Sequence, residues 1–269
     1  MPYRRDGIPV RGAPYREWVN RLDIKSDDVL LVSSDIQRAA LTVMRNGEIF
    51  SPSLLIESFQ KKLGPEGTLL FPTFNWGFCR GVAFDYKNTP CMTGTLGREA
   101  LKRSDFRRSL HPIYSFAVWG RDRDRICGTD NVSSFGADSP FAYLHKFGKN
   151  LIIDVSMRHC MTFTHYVEEQ TGVPYRFMKT FTAPYRGPDG REEIRSYDMF
   201  VRRLEMNVET LIDPLGEDLK AEGLCRTCFI DGVAFSTLLF SDFFMAARRD
   251  ILENRAGKLC RYDGQGLVK

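Results

Sequence analysis

The sequence predicts an α/β protein. Three observations carry that expectation. Short apolar runs of strand length recur along the chain, apolar stripes of helical spacing stand between them, and the N-terminal part alternates helix, strand, helix, strand. With 269 residues, 43% of them hydrophobic, the chain is long enough to bury a substantial core.

The chain opens on "MPYRRDGIPVRG", a polar arm without the apolar run of a secretory leader. "REWVNRLDIKSDD" reads as a short helix and "VLLVSS" as a buried strand. Leu54, Leu55, Phe59 and Leu63 mark one helix face, stopped by Gly64 and Pro65. "GTLLFPTF" is the next strand, and its Pro72 marks the end of regular pairing. Residues 75–95, "NWGFCRGVAFDYKNTPCMTGT", read as a long surface loop of the kind that carries function. "GREALKRS" is a short helix and "SFAVWG" a strand. In "SPFAYLHKFG", Ser139 is placed as an N-cap, Pro140 at the first helical position and Gly148 after the end. "NLIIDVS" is another buried strand, followed by the helix of "MTFTHYVEEQ". "YRGPDGREE" is a hairpin-like turn, and Val201, Leu204, Val208 and Leu211 make a helical stripe that Pro214 breaks. "LCRTCFIDGVAF" is a strand and turn, and Leu239, Phe240, Phe243, Phe244, Ala247 and Ile251 line a last long helix. The expected organisation is one domain over 1–269, with the loop at 75–95 and a substructure at about 173–222.

Composition narrows the function. There are 38 basic and 34 acidic residues, and a surplus of four is too mild to imply nucleic acid. The most apolar window, Phe229–Ala247, is interrupted by Asp231, Gly232, Ser236, Ser241 and Asp242, so no membrane span is expected. Seven cysteines at scattered spacing suit a reduced, cytoplasmic protein. Cys225 and Cys228, three apart in a strand, would point to opposite faces, and no second pair stands at zinc-finger spacing. No metal is expected.

The chemistry narrows to a few residues. Of the four histidines, His145 and His159 carry no independent signal. His111 stands in "RRSLHP", where Arg107, Arg108 and Ser109 suggest a phosphate site as readily as a loop before a strand. His165 shares a helical face with Glu168 and Glu169 and follows a buried strand, where α/β sheets build their sites. A carboxylate at one ring nitrogen makes the other a general base near neutral pH; an ordinary surface ion pair is the alternative.

The motifs "LLVSSDI", "GTLLFPTF", "TGTLGREALKRSDFRRSLHPIYSFAVWG", "SSFGADSPFAYL", "THYVEEQTGVPYR" and "GVAFSTLLFSDFF" occur in an order and spacing that resemble the aminoglycoside 3-N-acetyltransferase family, over about residues 15–255. The resemblance implies a layered α/β/α arrangement around a mixed central sheet, and acetyl transfer from acetyl-coenzyme A to a primary amine. It implies His165 as the catalytic histidine, Glu168 as its carboxylate and Thr162 as a threonine just before them. Ser33 and Ser34 fall in the coenzyme-binding loop, and Thr73, Ser109 and Ser115, with Arg108 and His111 beside them, fall along the pantetheine and pyrophosphate path. The chain departs from the family pattern where Ser33, Ser34 and Asp35 replace His-Ser-Ser, and where Met161 and Thr162 replace Asn-Thr.

The loop at 75–95 is similar instead to a subgroup that acetylates amino sugars on a nucleotide diphosphate. Its Asn75, Trp76, Phe78 and Cys79, together with Thr162 and Arg176 from elsewhere in the chain, are candidate acceptor contacts, with Arg80, Arg176 and Lys179 suited to a diphosphate. The expected reaction is direct transfer to a nucleotide-linked amino sugar, serving polysaccharide biosynthesis. Thr73 or backbone amides would hold the oxyanion, and Cys79 would line the acceptor rather than attack. The alternatives are an aminoglycoside acetyltransferase conferring antibiotic resistance and a non-catalytic protein that binds coenzyme A or a nucleotide sugar. A zinc hydrolase is more distant. A homo-oligomer is compatible with the sequence but not specified by it.

Overall fold

The computed structural model describes residues 14–266. The polar N-terminal arm lies outside the described residues up to Ala13. After a 3₁₀ turn over Tyr15–Arg21, the chain runs β1 (Val29–Ser34), α1 (Gln37–Arg45), α2 (Pro52–Leu63), β2 (Thr68–Pro72), β3 (Phe84–Asp85), α3 (Thr95–Ala100), β4 (Arg107–Arg108) and β5 (Phe116–Gly120). It continues through α4 (Arg123–Cys127), α5 (Pro140–Phe147), β6 (Gly148–Ile153), α6 (Met157–Cys160), α7 (Thr164–Thr171), β7 (Arg176–Arg186) and β8 (Glu192–Arg202). The last elements are β9 (Glu209–Thr210), α8 (Asp213–Ala221), β10 (Arg226–Ile230), β11 (Val233–Leu239), α9 (Phe240–Asn254) and β12 (Cys260–Arg261).

The central sheet has seven strands in the order β10-β11-β6-β1-β2-β5-β4. β1 pairs in parallel with β2 on one side and β6 on the other, and the outer strands join antiparallel. The mixed α/β fold expected from the sequence is therefore present. "VLLV" reads as an unbroken apolar run because both faces of β1 are covered. Val29 and Leu31 face a core built with Phe141 of α5, Val167 of α7 and Phe240 and Phe243 of α9. Leu30 and Val32 face a second core, with Val43 of α1, Ile56 and Phe59 of α2 and Leu96 of α3.

Local chemistry fixes the ends of these elements. The Ser51 hydroxyl accepts the Leu54 N–H, and the Ser139 hydroxyl accepts the Ala142 N–H, each followed by proline at the first helical position. At Gly120, where φ is +103°, a Cβ would fall 2.1 Å from the Gly67 carbonyl oxygen, so β5 can end beside β2 only on glycine.

The helix expected over Val201–Leu211 is not there. Val201 belongs to β8, Leu204 starts a 3₁₀ turn over Leu204–Met206, and β9 follows. The apolar residues fell at helical spacing by coincidence of a strand end, a turn and a second strand. β7 and β8 form a long antiparallel ribbon joined at its far end by the expected turn, and β3 pairs with β7 to complete a three-stranded sheet. Cys225, expected in the same strand as Cys228, is buried in the bend just before β10, and Cys228 is exposed on that strand. Among the described residues no helix is long and apolar enough to cross a membrane.

Candidate active site

α7 starts where β6 and the short α6 release the chain, and it ends at Gly172, whose left-handed φ of 74° returns its N–H to the Glu168 carbonyl. His165 and Glu168 are one turn apart on this helix, and His165 Nδ1 lies 2.8 Å from Glu168 Oε2. An ionised carboxylate only accepts, so Nδ1 carries the proton and Nε2 keeps a lone pair. The His165 side chain is 24% exposed and that of Glu168 3%. Glu168, not Glu169, is the partner: Glu169 accepts the Ser133 hydroxyl at 2.8 Å on another side of the helix.

The Arg176 guanidinium completes the group. Its Nε is 2.7 Å from the same Oε2, an ion pair with side-chain exposures of 6% and 3%, although the N–H is not aligned on the oxygen. Burial pushes Glu168 upward, but Arg176 and His165 outweigh it and leave the carboxyl below its ordinary value. His165 is pulled below 6.5, first by burial and then by Arg176, with Glu168 opposing and Arg202 adding to the fall.

Two cavities open near the start of α7, one reaching Thr162 just before the helix and the other His165 on it. The first, of 450 Å³, opens at the carboxyl ends of the parallel strands, where ligands of open α/β sheets bind. It is lined by Ser33, Ser34 and Asp35 at the end of β1, Pro72 and Phe74 at the end of β2, Thr93 to Thr95 and Arg98 around α3, and His159, Cys160 and Thr162 after β6. Ile36 and Gln37 bring the start of α1 to the same wall, and no side chain caps that helix beyond the bond from Gln37 N–H to the Asp35 carboxylate. A helix start with an arginine, serines and threonines suits the phosphates and pantetheine amides of a coenzyme A. The second cavity, of 530 Å³, is bounded by His165, Tyr114 and Arg176 and walled by the β7–β8 ribbon, including Phe177, Lys179, Phe181, Phe200 and Arg202. Phe74 from the first cavity and Tyr114 from the second meet edge to face, ring centroids 4.9 Å apart. The His165 N–H donates to the Thr162 carbonyl at 3.0 Å, so the two sides are also one turn of backbone apart.

Sequence candidates divide sharply on this geometry. His165 and Glu168 stand together, and Arg176 joins them rather than facing an acceptor diphosphate alone. Ser33 and Ser34 line the first cavity, Ser33 also donating to Asn150 Oδ1 at 3.1 Å. Thr162, a candidate acceptor contact, lines that same cavity and not the one that His165 lines. Thr73, Arg108, Ser109, His111 and Ser115 line neither cavity; all are buried and their polar atoms are engaged internally. Thr73 and Ser115 hydroxyls are 2.9 Å apart, Ser115 also donating to the Thr73 carbonyl, so Thr73 is not a free oxyanion donor. Ser109 accepts the Phe116 N–H.

Arg108 donates to Ser115 Oγ, to the carbonyls of Thr89 and Thr73, and stacks 4.8 Å over Phe84, stapling the 84–89 segment to the sheet. Burial lowers its guanidinium to about 10, still charged at neutral pH. His111 Nδ1 accepts the N–H groups of Ile113 and Tyr114, and Nε2 is 3.3 Å from Ser134 Oγ. It is a core histidine that fixes the backbone beneath Tyr114, not a phosphate ligand.

The loop at 75–95 is less open than expected. Asn75 closes its own turn through Pro90 and Gly77, and Phe78 is buried against Tyr197. Trp76 donates to the Tyr114 hydroxyl at 3.4 Å, and Cys79 is half-buried near Arg80 and Lys179. The wall of the second cavity is the ribbon itself, of which the sequence reading caught the turn and the cations Arg176 and Lys179 but not the long strands or Phe177, Phe181 and Phe200.

A model of the aminoglycoside 3-N-acetyltransferase family matches residues 39–249. The chain belongs to this family. The chain is similar to solved structures of AAC-IIIb in binary complex with CoASH (18% identity, 89% of this chain and 95% of that one, TM-score 0.75) and of the aminoglycoside acetyltransferase AAC(3)-Xa (20%, 92% and 94%, 0.74). It is also similar to AAC-VIa bound to sisomicin (18%, 92% and 99%, 0.74). At these identities the likeness is one of fold. No curated protein sequence matches the chain. This family member is an acetyl-CoA-dependent N-acetyltransferase.

Proposed function

We propose that this acetyltransferase moves the acetyl group of acetyl-CoA directly onto a primary amine of an amino sugar, with His165 as general base. The observation that carries this reading is the His165–Glu168 contact of 2.8 Å, with His165 lining one cavity and Thr162, one turn earlier, lining another. His165 Nε2 takes the amine proton as nitrogen attacks the thioester carbon. The C–N bond forms, the C–S bond breaks, and coenzyme A leaves as thiolate to be reprotonated. Glu168 stabilises the imidazolium while the proton is held.

For the acceptor, the comparisons support an aminoglycoside better than the nucleotide-linked amino sugar expected from the sequence, since the family carries that name and one similar structure holds sisomicin. The nucleotide-linked sugar is kept as a second reading on one observation: Lys179 and Arg202 outnumber Glu205 on the acceptor-side wall, beside Phe177, Phe181 and Phe200. A polycation would meet like charge there, whereas a diphosphate and base would meet opposite charge and ring faces.

Release of free thiol from acetyl-CoA, with sisomicin and with a set of nucleoside-diphosphate amino sugars as acceptors, separates the two readings by kcat/KM. Activity of His165→Gln within a few-fold of wild type would remove the base assignment.

A further inference from the structure

We infer that Arg176 is a positioning residue for acetyl transfer, holding Glu168 ionised and aimed at His165 so that the imidazole stands ready to accept a proton. The inference rests on the reading of His165 as base. Three placements carry it. Arg176 Nε sits 2.7 Å from the one carboxylate oxygen that His165 also uses. Its Nη1 donates to the Phe200 carbonyl at 3.1 Å, which locks the guanidinium to the neighbouring strand. The residue opens β7 four positions after the α7 cap at Gly172, so helix and ribbon are joined at this contact.

Oε2 therefore lies between two cationic or proton-bearing groups and has no freedom to swing toward solvent. A guanidinium buried in this way is committed to the carboxylate rather than to a ligand phosphate. The groups that face the pair from the surrounding elements are Arg202 on β8, Tyr114 before β5, and Tyr175 and Cys260 near Glu168. Of the cations, Arg176 acts most strongly on His165.

The test uses the whole protein and ¹³C-histidine NMR, in which His165→Gln assigns the His165 signal among the four histidines. In Arg176→Gln the His165 midpoint is expected to rise by about one pH unit, because a like charge has been removed from beside the imidazolium. Over the same range, kcat/KM relative to wild type should be lower at pH 6 than at pH 8.5, by up to about eightfold; using the ratio cancels titration of the amine acceptor.

Arg176→Lys should keep the midpoint low yet lose about tenfold in kcat with KM for acetyl-CoA unchanged, since an ammonium cannot reproduce the planar contact. An unmoved His165 midpoint in folded Arg176→Gln overturns the inference. If that variant does not fold, wild-type kcat in Arg176→Lys overturns it instead. Full activity of His165→Gln would defeat the base assignment alone, because the midpoint still reports the Arg176 contact.

Discussion

Nδ1 of His165 and Oε2 of Glu168 face each other across one turn of α7 at 2.8 Å, and the carboxylate is almost wholly buried. Burial makes the contact both a tautomer lock and a charge partner, which a solvated surface pair would not be. Glu168→Gln keeps the shape and removes the charge. Its kcat is expected to fall roughly 100-fold, as stabilisation of the imidazolium is lost, with KM for acetyl-CoA unchanged in a thiol-release assay.

Arg108 supports the first cavity from behind. Arg108→Met would strip buried donors from the carbonyls of Thr73 and Thr89. Urea unfolding should show a loss of about 3 kcal/mol, and KM for acetyl-CoA should rise because the segment leading to Thr93 and Thr95 is released.

Three histidines, His111 buried and His145 and His165 partly so, set an acid limit on stability. Burial lowers His111 to about 3, and His145 and His165 are also lowered by burial. Between their ordinary value and these lower ones, the unfolded chain binds protons that the folded chain refuses. Stability is therefore lost as pH falls below about 6.5, with a slope of up to about 1.4 kcal/mol per pH unit for each such group. Glu168, lowered by its partners against burial, adds loss of the same sign below its ordinary range. Urea midpoints at pH 7, 6 and 5 should decline steadily, and a flat profile would contradict neutral burial of His111.

Cys79 sits near the acceptor-side residues Lys179 and Tyr114, and burial raises its thiol despite Arg80. A protonated thiol is a poor nucleophile. Cys79→Ala should keep kcat within about threefold of wild type, and intact-protein mass spectrometry after incubation with acetyl-CoA alone should show no acetylated Cys79.

Lys179 and Arg202 offer a direct readout of acceptor charge. Lys179→Glu should raise KM about tenfold for an acceptor carrying a diphosphate and lower it for sisomicin. The opposite pattern would remove the charge argument for a nucleotide-linked acceptor.

Much of the fold is legible in the residues because burial on both faces leaves an unmistakable run: Val29–Ser34, Thr68–Pro72 and Gly148–Ile153 are strands where expected. α1 was not foreseen, since only Ala39 and Val43 of it are buried while Leu41 and Met44 are exposed, which blurs its stripe. The dyad was legible because helical spacing brings His165 and Glu168 together whatever surrounds them. The role of Arg176 was not, for its meeting with Glu168 depends on where β7 begins. Arg108 and His111 misled for a related reason: an arginine and a histidine advertise phosphate binding by type, and only burial reveals that they are consumed by carbonyls and backbone N–H groups. Asn75 and Phe78 likewise belong to a loop that folds onto itself.

The two cavities that come together at Thr162 and His165 bear on the order of binding. With acetyl-CoA in the first cavity and the amine in the second, as proposed, neither reactant would have to leave before the other docks. Double-reciprocal plots over both reactants should intersect rather than run parallel, and a dead-end analogue lodged in one mouth should leave the other free to fill.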